Sequence, residues 1–235
     1  MKKSAAIFVL LVGSAILAGG TMCRLSENKD SDSIPASAYL QIGTPYAFQD
    51  DSTTVVTVPV TKTDPYVSAG GPSVLFTAGS QHNYGYVPYL NFGQDTVYVT
   101  CRFYDAENTP VTAVFDPEDD EISWVDHLEE YDYLDENADN ETLLALYENQ
   151  WHNRPEFTVK EVSDSRVDFT IATASGEKDY LSGTVQICFM NGDTCVFADS
   201  VDYESPHEKD SQFEMTYRIP YQLPAYTDIQ FIDLY

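Results

Sequence analysis

The chain is short of positive charge. Its 235 residues hold 12 Lys and Arg against 38 Asp and Glu, a formal net charge of −26. Between Phe103 and Asn153 there is no Lys or Arg at all, while 16 of the acidic residues fall in that window. A field of this sign repels phosphate backbones and anionic lipid surfaces, which excludes nucleic acid as a partner and limits membrane attachment to an anchor. It suits a solvated surface outside the cell. Chemistry-bearing motifs are missing as well. There is no Gly-x-Ser-x-Gly elbow, phosphate-binding glycine loop or dinucleotide fingerprint, and Ser73 in Gly70-Gly71-Pro72-Ser73 lacks a nucleophile's strand-to-helix setting. No Cys-x-x-Cys pair occurs, and His127 and His152 have no second histidine at zinc-ligand spacing. The sequence therefore names no catalytic residue and no required cofactor.

Long apolar runs are also scarce, and the one present stands at the start. Met1-Lys2-Lys3 precedes an uncharged apolar stretch from Ala5 to Ala18, followed by Gly19-Gly20-Thr21-Met22-Cys23. A cationic head, an apolar stretch of this length and a small-residue exit are the parts of an export signal. Three endings fit. Ala18-Gly19-Gly20 permits cleavage after Gly20; lipoprotein processing makes Cys23 the acylated first residue; and Ala5 to Met22 is about the minimum length for an uncleaved anchor. All three place the rest of the chain outside the cytoplasm, as an envelope lipoprotein or a secreted protein. Residues 1–22 read as the signal and 23–36, rich in Ser and Asp, as a flexible tether. Loss of Lys2 and Lys3 leaves 10 basic against 38 acidic residues, or −28.

What is abundant is aromatic. The chain has 17 Tyr and 12 Phe in an apolar fraction of 43%, enough to bury a core built of strands. Alternation predicts strands at Thr54–Val60, Ser73–Thr77, Thr96–Tyr104, Pro110–Phe115, Phe157–Val162, Arg166–Thr173, Tyr180–Met190, Thr194–Tyr203, Ser211–Ile219 and Thr227–Tyr235. Pro59 assigns the first of these to a sheet edge, since it removes a ladder donor. In Thr96–Tyr104 the odd residues Val97, Val99, Cys101 and Phe103 form a buried face and the even ones a wet face. Asp139-Asn140-Glu141-Thr142 offers helix caps, with an apolar stripe Leu143, Tyr147, Trp151 behind it and Pro155 beyond its end. The expected fold is mostly β: two small antiparallel immunoglobulin-like β-sandwich units, 37–116 and 156–235, joined by an acidic connector, 117–155, with one short helix. A weak repeat, in which Thr96–Val111 overlays a segment ending at Val196, supports two units.

Phe103-Tyr104-Asp105-Ala106-Glu107-Asn108-Thr109-Pro110-Val111 resembles the FYD-x-x-G-x-x-V hairpin of the small FxLYD-type β-sandwich domains. Phe189 to Tyr203, Phe213 and Ile229-Gln230-Phe231-Ile232-Asp233-Leu234-Tyr235 look like the same layout again. The resemblance implies small sandwiches in an exported bacterial protein, often a lipoprotein, and brings no catalytic residues.

Three residue sets remain as candidate sites. Asn191-Gly192 predicts a two-residue hairpin turn that sets Cys188 opposite Cys195, about 5.5 Å apart at Cα and within disulfide reach. An oxidising compartment favours that bridge; Cys101 reads as a core thiol and Cys23 is left unpaired. Asp132, Asp135, Asn137, Asp139 and Glu141 offer many oxygens within ten residues, the chemistry of calcium. The spacing starts like a calcium-binding loop but places Asn140 where Gly is required and Leu146 where a bidentate Glu belongs, so a solvated acidic connector is the other reading. The tyrosines of Tyr84-Gly85-Tyr86-Val87-Pro88-Tyr89 are either packing residues or an aromatic platform for sugar or protein. Together these point to a non-enzymatic envelope protein whose sandwiches serve as a binding or assembly scaffold for a protein or glycan outside the cell. The alternatives are a calcium-binding module and a hydrolase with an unrecognised carboxylate pair.

Overall fold

Alternating apolar residues build most of the molecule. The computed structural model describes residues 34–128, 138–150, 154–173, 181–206 and 212–234. Strands account for 61% and helix for 7%, so sheet packing decides the architecture. The strands are β1 (Leu40–Ile42), β2 (Tyr46–Asp50), β3 (Thr53–Lys62), β4 (Val67–Gly70), β5 (Ser73–Ala78), β6 (Gln81–Tyr86), β7 (Thr96–Tyr104), β8 (Val111–Phe115), β9 (Trp124–His127), β10 (Pro155–Ser163), β11 (Arg166–Thr173), β12 (Ser182–Asn191), β13 (Thr194–Glu204), β14 (Gln212–Arg218) and β15 (Asp228–Asp233); the helix α1 is Asn140–Gln150. All pairings are antiparallel.

Ser33–Tyr235 forms one compact unit in which four sheets stack. The outermost sheet has the order β6-β5-β8. Its inward residues Val74, Phe76 and Ala78 pack on Val56, Val58, Val97, Val99 and Phe103 of the second sheet, where β3 pairs with β7 on one edge and with β1 and β2 on the other. The third sheet, β13-β12-β15, and the fourth, β10-β11-β14, enclose a second core of Ile187, Phe189, Phe169, Ile171, Phe213 and Tyr217. Strands β4 and β9 close one end of the first core, with Val67, Ala69 and Val125 turned into it. Part of the segment 117–155 is thus bound to the first sandwich. Ile34–Ala36, read from sequence as the end of the tether, are tied in too: Ala36 donates to the Asp120 carbonyl at 2.6 Å and Pro35 bridges to Glu121.

The middle seam covers part of the face of β7 assigned as wet, while Arg102 and Tyr104 stay exposed as expected. Thr57, Tyr98 and Thr100 project toward the third sheet, and Thr57 is buried. The Gln186 carboxamide pairs with one backbone residue of β7: Oε1 accepts from the Tyr98 N–H at 2.8 Å and Nε2 donates to the Tyr98 carbonyl at 2.8 Å. Thr100 Oγ1 donates to the Ala198 carbonyl at 2.8 Å, and the hydroxyls of Thr57 and Thr100 lie 3.0 Å apart. Polar residues at this seam are satisfied by each other and by backbone, which is the condition for burying them.

Two further expectations are corrected. Pro59 lies in a central strand, not an edge. β1 pairs with Val60–Lys62 and β2 with Thr53–Thr57, so Pro59 falls in the gap between them, where no partner awaits its missing N–H. The hairpin turn is Gly192-Asp193, flanked by the pair Asn191 and Thr194, with Gly192 at φ +59 in the first central position. A bulge follows, so Met190 faces Cys195 and Cys188 faces Ala198. Cys188 and Cys195 are free and buried, not bridged.

The helix forms as its caps predict. The Asp139 carboxylate accepts from the Thr142 N–H at 2.8 Å. That bond holds the Asp139 carboxyl below its usual range. Leu143 and Tyr147 are buried against Phe92 and Leu128.

Candidate functional site

The outer face of the β6-β5-β8 sheet differs from the rest of this acidic molecule. None of its three strands contains Asp, Glu, Lys or Arg. Register sets two rows across the face: Tyr84, Leu75 and Val114 form one, and His82, Thr77 and Thr112 the other. Tyr84 and Tyr86 are 58% and 71% exposed, and Val114 is 51% exposed, so an aromatic–aliphatic strip stands in solvent. The Thr77 hydroxyl and His82 Nδ1 are 3.2 Å apart in the polar row.

The residue between the two tyrosines positions them. A Cβ on Gly85 would meet Val99 Cγ1 at 2.4 Å, so only glycine lets β6 lie this close over β7. The same face of β6 sends Gln81 Nε2 to the Tyr104 carbonyl at 3.0 Å and Asn83 Nδ2 to the Arg102 carbonyl at 2.7 Å. Those amides cover the free edge of β7 and leave Tyr84 and Tyr86 turned outward. Along the free edge of β8, a shallow groove of about 470 Å³ continues from Val114 between Ala113, Phe115, Leu40 and Ile42. Its lining carries no formal charge either.

Of the sequence candidates, the acidic set lies mostly outside the described residues, and the cysteine pair is buried and unbridged. Asp132, Asp135 and Asn137 lie outside the described residues, as does Cys23. Asp139 is engaged as a helix cap, and Glu141 is exposed in the first turn of α1. No group of three or more His, Cys, Asp or Glu gathers among the described residues. Cys188 and Cys195 share a buried cluster with Met190 and Ala198, against Tyr98. Burial pushes the Cys188 thiol well up, and its hydrogen bond with Cys195 adds to the rise. The Tyr98 hydroxyl is pushed up to about 12, mostly by burial. Cys101, on the inner face of β7, rises to about 11 for the same reason. Thiols held this way are poor nucleophiles. His127 stacks edge-on against Tyr39 at 5.9 Å between ring centroids, a packing role.

Two polar features went unnoticed in the sequence. Lys62 is buried at the end of β3, where its Nζ donates to the carbonyls of Val67 at 2.6 Å and Asn91 at 2.7 Å. Desolvation lowers its pKa to about 8, against the raising pull of Asp95 and Asp64. The second is a cleft of about 340 Å³ whose lining includes Asp95, Asp233, Arg154 and Phe157. There the Asp233 carboxylate already accepts from the Tyr203 hydroxyl at 3.1 Å.

Of the tyrosines read as packing or platform residues, Tyr84 and Tyr86 stand exposed on this face while the Tyr89 hydroxyl donates to Ser68; the absence of charge around them was not read, because each residue of the face is ordinary. The usable signal was collective: three short segments, 73–78, 81–86 and 111–115, free of charge in a chain at −26. Among the described residues, no helix is long and apolar enough to cross a membrane. No family model matches this chain, and no curated protein is similar to it.

Proposed function

We propose that this chain is a non-enzymatic, exported envelope protein, carried out by its N-terminal signal and held through Cys23, whose stacked sandwiches form a rigid scaffold presenting the β6-β5-β8 face to a binding partner. One observation carries the reading: a tyrosine-bearing sheet face without formal charge on a chain at −26. Exposed apolar strips rimmed by polar groups mark interaction sites more often than they mark bare surface. The polar seam supports the scaffold role, because Gln186 and Thr100 fix one sandwich on the other and leave the outer face geometrically defined. The FxLYD-type resemblance, drawn from the residues of the Phe103–Val111 hairpin, fits the same picture.

The test has two arms. Intact mass of the exported protein reads the fate of Cys23, and a diacylated or triacylated N-terminus is expected. Leu75→Asp places one charge in the middle of the face; retention on a preparation of the source organism's envelope should fall sharply while the chain keeps a cooperative melting transition, lowered because Leu75 is partly buried on a central strand. Unaltered retention would remove the face from the function.

A hydrolase is the second reading, and the cleft holding Asp95 and Asp233 is what favours it. Both residues line one concave site, and two carboxylates in such a site are what glycoside hydrolysis requires. Asp95→Asn decides it: loss of any turnover found on glycoside substrates would support that reading, and wild-type protein inert on all of them would end it.

A further inference from the structure

We infer that the occupant of the β6-β5-β8 face is a neutral polysaccharide chain, lying across Tyr84 and Tyr86 and running along the Tyr84–Leu75–Val114 row toward the groove beside β8. This inference rests on the binding-face reading above and names its ligand.

Charge narrows the ligand first. An anionic polymer meets a net charge of −26 and no lysine or arginine on the three strands. A membrane surface would need a cationic rim around the apolar strip, and these strands provide none. An uncharged ligand loses no ionic hydration on arrival and leaves no unpaired charge behind.

Side-chain chemistry narrows it again. Tyr rings combine a flat apolar face with a polar tip, which matches the apolar C–H face and hydroxyl rim of a sugar ring. Tyr84 and Tyr86 stand on the same side of one strand, about 7 Å apart along it. The neighbouring row supplies hydroxyls and a ring nitrogen from Thr77, Thr112 and His82, donors and acceptors suited to sugar hydroxyls.

Shape argues for a chain over a single sugar. Three strands carry Tyr84 to Val114 over about 10 Å. The uncharged groove of about 470 Å³ prolongs that row along β8. A protein partner would be expected to anchor a side chain in a closed, desolvated pocket at the centre of its interface. Here the centre is Leu75, partly buried on the middle strand, and the rings stand exposed.

The experiment is native gel electrophoresis of the mature chain through gels containing a soluble β-glucan, a mannan, a galactan or a chitin oligosaccharide, with polygalacturonate as the acidic control. Retardation by at least one neutral polymer and none by polygalacturonate is expected. Tyr84→Ala/Tyr86→Ala should weaken it roughly tenfold or more, a change of about 1.4 kcal/mol or more. Both rings are exposed, so an unchanged melting temperature confirms that the variant folds. The inference is overturned if no neutral polymer retards the protein, if the double variant binds as tightly as wild type, or if polygalacturonate binds equally well. Sedimentation adds one arm: a concentration-dependent dimer abolished by the same substitutions would make a second copy of this chain the occupant and overturn the glycan. If sugar fails but envelope retention still falls with Leu75→Asp, the ligand is wrong and the face stands. If retention is also indifferent, both readings fall.

Discussion

The two outermost sheet faces of the stack solve the same solvent problem in opposite ways. On the fourth sheet, Lys160 pairs with Glu214, Arg166 reaches Asp168 at 3.1 Å, and Thr216 donates to Asp168 at 2.6 Å. That surface is laced with opposite charges across strands and is wet by construction. Its edge strand β10 is guarded further by a register shift between Val159 and Glu161 and by its charged residues. The first sheet's outer face has no ion pair and no charge on its strands, only Tyr84, Tyr86, Leu75 and Val114 among hydroxyls. The fourth sheet's edge strand also exposes Val159 and Val162, so the two ends differ in formal charge and not in the presence of apolar residues.

The interiors differ as well. The first core is chiefly aliphatic, with Val56, Val58, Val60, Val74, Val97 and Val99 around Phe76 and Phe103. The second is aromatic, with Phe157 stacked on Phe231 at 5.4 Å and Phe189 edge-on to Tyr226 at 5.1 Å. The first sandwich compensates with long polar side chains that reach backbone carbonyls, Lys62, Gln81 and Asn83 among them. The seam between the two sandwiches extends that device through Gln186.

The largest effect is expected at that seam. Gln186→Leu keeps the volume near constant but strands the Tyr98 N–H and carbonyl in the interior. Each orphaned buried group costs about 1–3 kcal/mol, so a loss of about 4 kcal/mol is expected in chemical denaturation. The apolar row offers the contrast, since Tyr84→Ala should stay within about 0.5 kcal/mol of wild type. A loss under 1 kcal/mol for Gln186→Leu would mean the sandwiches do not depend on this contact.

Lys62 separates the first sandwich from the second by pH. Below pH 8 the lysine is charged in both the folded and unfolded states, and the folded state carries the full desolvation cost. Between about pH 8 and 10.5 the folded chain has released the proton while the unfolded chain still holds it. Stability of the wild type relative to Lys62→Met should therefore rise through that window, by up to about 3 kcal/mol. A flat difference from pH 7 to 10.5 would contradict the buried, unpaired lysine.

How much of this was legible in sequence follows from where the information lies. Long alternating runs such as Thr96–Tyr104, Arg166–Thr173 and Gln212–Arg218 announced themselves, because period two persists over several residues. So did the helix behind Asp139. Short strands such as Leu40–Ile42, Val67–Gly70 and Trp124–His127 did not, since each is defined by a partner distant in the chain. The alternation at Tyr98 and Thr100 was read correctly as polar and wrongly as wet; nothing local says that a second sandwich covers it. The Cys188–Cys195 register failed because the turn lies one residue further on, at Gly192-Asp193, and a bulge between Phe189 and Met190 shifts the pairing again, so Met190 and not Cys188 faces Cys195. The uncharged face was only half legible: its tyrosines stood out, but its three strands become neighbours only in the folded sheet.

The helix cap should register a smaller change. Asp139→Ala removes the acceptor for the Thr142 N–H and should lower the melting temperature by a small, measurable amount. Calcium sharpens the reading: were Asp139 also an ion ligand, chelator would lower the melting temperature of wild type but not of the variant. Equal curves with calcium and with chelator would assign Asp139 to the cap alone.

The smallest effect is expected on the charged outer face. Lys160 and Glu214 are both substantially exposed, with side chains at 46% and 67%. Exposed pairs of this kind contribute about 0–1 kcal/mol and lose most of it to salt. Removing both partners should move stability by about 0.5 kcal/mol or less, with the difference vanishing at high salt. The same double removal should leave polysaccharide retardation untouched, because those charges sit on the opposite end of the stack from Tyr84 and Tyr86. A loss of retardation on removing Lys160 and Glu214, which leaves the net charge at −26, would show that binding involves the charged end and not the uncharged face, and the contrast between the two ends would carry no functional meaning.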